Sequence, residues 1–258
     1  MRMNPMSGLA GAVALAALMA AAAPALAQQQ SPALDALVAS GDLPPVAERL
    51  PVNPLVVEGD SVGTYGGTWR MGMNGGGDNG LIVKTVAYEG LVRYDHEWKS
   101  VLPNLAESWE ASADATEYSF KLREGVKWSD GTPYTTADIA FTVEMYQDPD
   151  YPANSWIDNK NNPLTLTVID DYNFRFTFEK PNGMFMGQSA GVDGIHITSL
   201  QKQYCSQFHP TYNENAEAEA TEKGFSSWAL YLQDRCAWGW ETIRFANPAL
   251  PSIYGWVI

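Results

Sequence analysis

Apolar and polar positions alternate most cleanly in the middle of the chain. Tyr118, Phe120 and Leu122 are separated by Ser119 and Lys121, the two-residue period of a strand with one buried face. Val126 and Trp128 continue the alternation past Gly125, and Asp130-Gly131 breaks it with turn chemistry. Thr135 and Asp138 then stand three apart, a hydroxyl N-cap and the acid that reaches back to it. Ile139, Val143 and Tyr146 follow at helical spacing, and Asp148-Pro149 predicts the stop. A second hairpin comes next. Leu164, Leu166 and Val168 alternate with threonines, Asp170 to Asn173 supplies the turn, and Phe174, Phe176 and Phe178 alternate back as far as Pro181-Asn182-Gly183.

The flanks are less regular. Residues 28–68 carry Pro44, Pro45, Pro51 and Pro54 before Gly59, Gly63, Gly66 and Gly67, and proline fixes φ and removes a donor. This predicts an extended arm laid over a domain, with Leu50, Val52, Leu55, Val56 and Val57 to bury and a short helix near Ala33 to Ser40. A short strand is expected from Thr68 to Met73, followed by the loop Asn74 to Gly80, "NGGGDNG". Its glycines permit positive φ and close backbone approach, which suits a ligand cleft as well as an ordinary turn. It matches neither a P-loop nor a dinucleotide fingerprint. Toward the end, "NENAEAEATEKGFSSWALYLQDR" predicts an acid-rich helix with Phe225, Trp228 and Leu232 on its apolar side.

Composition changes the picture in three places. Arg2, an apolar run from Leu9 to Ala23, Pro24 and the small-residue end Ala25-Leu26-Ala27 predict a Sec-type signal peptide removed after Ala27. The alternative, a membrane span, needs about 20 apolar residues with polar flanks. The 258 residues carry 16 Lys+Arg against 30 Asp+Glu, a net charge of −14; such a chain does not neutralise phosphates, which excludes nucleic acid as a partner. Cys205 and Cys236 are the only cysteines. An oxidising compartment would bond them, and two buried free thiols are the other state the sequence allows. His96, His196 and His209 fall at no zinc-ligand spacing, so neither a metal nor a cofactor is expected.

The stretch from Leu105 to Glu144, "LAESWEASADATEYSFKLREGVKWSDGTPYTTADIAFTVE", closely resembles the signature region of the family 5 solute-binding proteins of ABC importers. The shared pattern is an acid-Ser-Trp, an alternating strand ending in Leu-Arg-x-Gly-Val-Lys-Trp, then Asp-Gly-x-Pro, Thr and a helix-opening Asp. "YEGLVRYD" (88–95) and "VIDDYNFRFTFEKP" (168–181) are similar to neighbouring elements of that family. The resemblance implies an α/β fold of the periplasmic-binding-protein type II kind, mixed sheets with flanking helices, represented here by its first lobe only. The expected organisation is a signal peptide (1–27), an arm with the first segment of lobe I (28–75), an inserted subdomain carrying the signature (76–185), and a second segment of lobe I (186–258). Because family members are longer, the chain is expected to be truncated near the crossing to a second lobe.

The function the resemblance implies is periplasmic capture of an oligopeptide or oligosaccharide for an ABC permease in the inner membrane, with no catalysis. Ligand contacts are expected from Asn74, Gly75, Gly76 and Gly77, from Tyr88, and from Trp256. Trp128, Asp130, Gly131 and Thr135 are expected to hold a hairpin to a helix rather than touch a ligand. Two other readings remain: a secreted glycosidase using paired carboxylates such as Glu107 and Asp130, and a truncated relic that binds nothing.

Overall fold

In this computed structural model, residues 30–57, 59, 61, 63–70, 72, 74, 75, 78, 85, 89–151, 157, 159–236 and 247–254 are described. The strands are β1 (Val92–Tyr94), β2 (Val101–Pro103), β3 (Ala106–Ala111), β4 (Glu117–Leu122), β5 (Leu164–Val168) and β6 (Asn173–Phe178). β1 and β2 form an antiparallel pair, and the other four form an antiparallel sheet in the order β3-β4-β6-β5. The helices are α1 (Asp35–Ser40), α2 (Val46–Arg49), α3 (Thr136–Gln147), α4 (Phe185–Ala190), α5 (Ile195–Thr198), α6 (Lys202–Cys205), α7 (Ala216–Glu222) and α8 (Trp228–Cys236).

The two alternating stretches share the sheet because their apolar faces register. Phe120 lies opposite Phe174 and Tyr118 opposite Phe176, and the rings of Phe120 and Phe174 stack with centroids 5.4 Å apart. Phe185, at the start of α4, closes this face, its ring within 6.1 Å of Tyr118, Phe120, Phe176 and Phe178. The opposite face carries Lys121, Thr165, Thr167 and Arg175, all exposed, as expected of an antiparallel sheet packed on one side. α3 is buried over most of its circumference, with Ile139, Phe141, Val143, Met145 and Tyr146 in the core, a pattern of helices enclosed by neighbours.

Glycines govern one contact between segments. At Gly90 a Cβ would lie 2.7 Å from the Ser189 carbonyl oxygen, and at Gly194 it would lie 2.1 Å from the same atom. Only hydrogen at both positions lets β1 and α5 approach the end of α4. Cys205 and Cys236 are joined, with Cα atoms 5.9 Å apart, tying α6 to the end of α8.

Three expectations are corrected. No strand forms among the described residues between Thr68 and Gly72, since a strand is held by a ladder to a neighbour and none of the described residues pairs with this stretch. The arm leaves most of its apolar residues exposed: Leu50 is half-buried, but Val52 is 76% exposed and Val56 and Val57 are 56% exposed. The acid-rich stretch folds as two helices, α7 and α8, because Gly224 takes φ +86° and closes α7 with bonds from Phe225 N–H to Ala220 O and from Gly224 N–H to Thr221 O, a Schellman stop. Residues 1–27, including the signal-peptide stretch, lie outside the described residues.

Candidate ligand-binding surface

The signature region folds into a joint between hairpin and helix. Trp128 N–H donates to Thr132 O and Gly131 N–H to Trp128 O, both at 2.8–2.9 Å, and Gly131 supplies the φ of +86° that this turn needs. The Thr135 hydroxyl accepts from Ala137 N–H while the Asp138 carboxylate accepts from Thr135 N–H at 3.1 Å, a reciprocal cap. The same carboxylate accepts from the Trp128 indole at 3.2 Å and from Lys202 N–H at 2.9 Å. Burial pushes the Asp138 carboxyl above the usual carboxylate range, against the opposing pull of those bonds. Asp138 therefore ties turn, helix and α6 together.

The two acids considered for hydrolysis are both spoken for. Asp130 accepts from the Gln201 amide at 2.9 Å and from the Thr132 hydroxyl at 2.7 Å. Burial raises its carboxyl, but these bonds outweigh it and leave the group below the usual range. Glu107 is lowered by the Asn53 side-chain amide at 2.8 Å and by Lys121 at 3.0 Å. A glycosidase acid must hold its proton near neutrality, and both groups are held in the opposite state.

Of the expected ligand residues, Asn74 and Gly75 are described and exposed; Gly76, Gly77, Tyr88 and Trp256 lie outside the described residues. Asn74 N–H donates to the Asp78 carboxylate at 2.6 Å, and a Cβ at Gly75 would meet open space. Gly75 has no positive φ; among the described residues of this region, Gly66 and Gly67 do, at +100° and +89°. Glu89, which follows Tyr88, is held by the Asn104 side-chain amide at 2.6 Å, and its carbonyl accepts from the Thr198 hydroxyl at 2.5 Å. Burial raises the Glu89 carboxyl, opposed by Asn104 and Arg93.

A groove of about 550 Å³ opens between Leu55, Val56 and Val57 of the arm and Arg93, Tyr94, His96 and Leu102 of the β1–β2 hairpin. Beside it, Trp98 is 67% exposed, stands at φ +59° and stacks on Tyr94 with centroids 5.0 Å apart. Its turn is built by the Asp95 carboxylate, which accepts from Glu97 and Lys99 N–H. Sequence reasoning passed over this groove; Asp95 as a turn-former between Tyr94 and Trp98 was the available signal. The surface offers apolar contact, aromatic faces and one guanidinium, which suits retention of a ligand. Among the described residues, no group of three or more His, Cys, Asp or Glu is placed to hold a metal.

Residues 100–226 match the family model of bacterial extracellular solute-binding proteins, family 5 Middle. The chain is 32% identical to the periplasmic alpha-galactoside-binding protein of Rhizobium meliloti, over 55% of this chain and 24% of that protein. It is 37% identical to the periplasmic oligopeptide-binding protein OppA of Haemophilus influenzae, over 37% of this chain and 21% of that protein. Its fold is similar to a solved oligopeptide-binding protein OppA, with a TM-score of 0.74 at 36% identity, covering 89% of this chain and 35% of that one. A weaker likeness, TM-score 0.57 at 24% identity over 87% of this chain and 34% of the other, is to the periplasmic binding protein MelB of Agrobacterium fabrum in complex with stachyose. The matches span about a fifth to a third of these relatives' lengths. With its joint intact inside the matched residues, the segment 100–226 belongs to the family 5 bacterial extracellular solute-binding proteins, and the fold of the chain is similar to theirs.

Proposed function

We propose that this chain forms the first-lobe part of the substrate-binding component of an ABC importer, capturing an oligopeptide or an oligosaccharide in the periplasm for an inner-membrane permease. The observation that carries the reading is the signature joint, Trp128 through Asp138, folded inside residues that match the family. On this reading residues 1–27 are an export signal cut after Ala27, residues 28–75 and 186–258 belong to lobe I, and residues 76–185 are its inserted subdomain. The names of similar proteins favour both ligand classes, and aromatic faces serve either, stacking on sugar rings or packing peptide side chains. Capture is the whole of the chemistry: the cleft excludes water, and closure couples occupancy to docking.

A chain that supplies one wall buries about half the contacts, while immobilising the ligand still costs about 4–15 kcal/mol. The affinity expected of this chain by itself is therefore millimolar or weaker. Saturation-transfer NMR suits that regime, with stachyose and trialanine as probes and the same tubes analysed for products. Transfer to one probe without turnover supports the reading. Hydrolysis of either probe, or no transfer to both, overturns it.

A further inference from the structure

The stretch Glu48–Asn53 crosses the signature region without burying a side chain. Its attachment is polar. Val52 N–H donates to Glu124 O at 2.9 Å, the Asn53 side-chain amide donates to the Glu107 carboxylate at 2.8 Å, and Lys127 Nζ donates to Glu48 O at 2.9 Å. Arg123, 5% exposed, stands at the centre. Its guanidinium donates to the Asn53 carbonyl and to the Asn104 carbonyl, and its own N–H donates to Leu105 O at 2.8 Å. Gly125, at φ +84°, clears the path: a Cβ there would lie 3.2 Å from Val52 N and 3.3 Å from Pro51 Cα.

We infer that Glu48–Asn53 is a strap that opens independently of the rest of the fold, and that Arg123 is its latch. Local opening is governed by what a segment buries, and this one buries no side chain fully, with Leu50 and Pro51 only half-buried, so the hydrophobic term that secures the sheet is weak in it. Leu55, Val56 and Val57 follow the strap directly and form one wall of the groove whose other wall is Arg93, Tyr94 and Leu102. Lifting the strap carries that wall away, so the latch sets the width of the groove. The planar guanidinium reaches two carbonyls on different segments at once; a lysine ammonium at the same position keeps the charge and loses the fork.

The test is amide hydrogen exchange on the whole chain, resolved by residue. In the wild type, the Val52 amide should exchange through an opening insensitive to low urea, whereas Phe120 and Phe174 in the sheet exchange only by a urea-dependent route. Arg123→Lys should speed Val52 exchange by about tenfold, about 1.4 kcal/mol of lost latching, with the sheet amides changed far less. Gly125→Ala, pressing on the strap from beneath, should do the same without touching the guanidinium. Val52 exchange that follows the sheet amides in wild-type protein overturns the inference, as does unchanged Val52 exchange in a folded Arg123→Lys protein.

Discussion

Replacing Asp138 tests the joint at its most connected atom pair. The carboxylate, in a residue only 6% exposed, satisfies Thr135 N–H, the Trp128 indole and Lys202 N–H. Asp138→Ala removes the carboxylate half of the reciprocal cap, up to about 1 kcal/mol, and strands the indole and the Lys202 amide at about 1–3 kcal/mol each. Relief from burying a carboxylate offsets part of this, so a net loss of about 2–4 kcal/mol is expected. Asp138→Asn keeps an oxygen for Trp128 and Thr135 but turns an NH₂ toward the Lys202 N–H, donor against donor, at about 1–2 kcal/mol. Burial lifts the folded-state pKa of Asp138 above its unfolded value. The contribution is then fullest below the unfolded value and falls as pH rises through the folded one, so the gap between wild type and Asp138→Asn should be wider near about pH 3 than near about pH 7. Urea unfolding with an unchanged m-value reads each difference. A loss under about 1 kcal/mol for Asp138→Ala, or an Asn variant weaker than the Ala variant, would show that the carboxylate does not hold the joint.

Three further outcomes are expected. Burial brings the His196 imidazole down to about 3 against about 6.5 unfolded, so stability should fall as pH drops from about 6.5 toward 3. By about pH 4.5 the loss should reach about 2–3 kcal/mol, a slope that His196→Gln should lack in acid melts. Gly194→Ala drives a Cβ to 2.1 Å from a backbone oxygen and should cost about 3 kcal/mol in urea unfolding; Gly224→Ala, with φ +86° but open space, should cost about 1 kcal/mol. Non-reducing alkylation should label neither Cys205 nor Cys236, and Cys205→Ser with Cys236→Ser should lower stability by about 3–4 kcal/mol.

What the sequence made legible was local chemistry with a fixed period or offset. The alternations at Tyr118–Leu122 and Phe174–Phe178 became β4 and β6 because each strand presents one face to the core, and the Thr135–Asp138 offset became a cap. The stretch at Thr68 failed as a strand because pairing depends on a neighbour that spacing does not reveal. The acid-rich segment kept helical spacing through Gly224 on paper, yet a left-handed glycine with two carbonyl bonds ends a helix whatever the spacing beyond it. At the candidate site, composition suggested cleft glycines, but it carries no information on which glycine adopts positive φ. Gly66 and Gly67 do, and Gly75 does not. The arm was expected to bury valines; it is held instead by polar bonds, such as those from Arg123 to Asn53, 70 positions away, and from Lys127 to Glu48, 79 positions away, which leave no trace in hydrophobic pattern.

The residues that identify the family and the residues that would choose a ligand are different sets, for a physical reason. Leu-Arg-x-Gly-Val-Lys-Trp places Arg123 under the strap, Gly125 where the strap crosses, Lys127 on the Glu48 carbonyl and Trp128 on Asp138. Arg123 and Lys127 satisfy backbone carbonyls, Gly125 leaves room for the crossing chain and Trp128 is a buried donor with its acceptor in place; such demands allow few residue types, which makes the motif recognisable. A ligand surface built from exposed apolar walls and aromatic faces, such as Leu55–Val57, Tyr94 and Trp98, tolerates many residue types. A motif so tightly committed to joining segments therefore predicts fold and receptor class. Under the proposed function, discrimination between ligands falls to the loosely constrained surfaces that the joint positions.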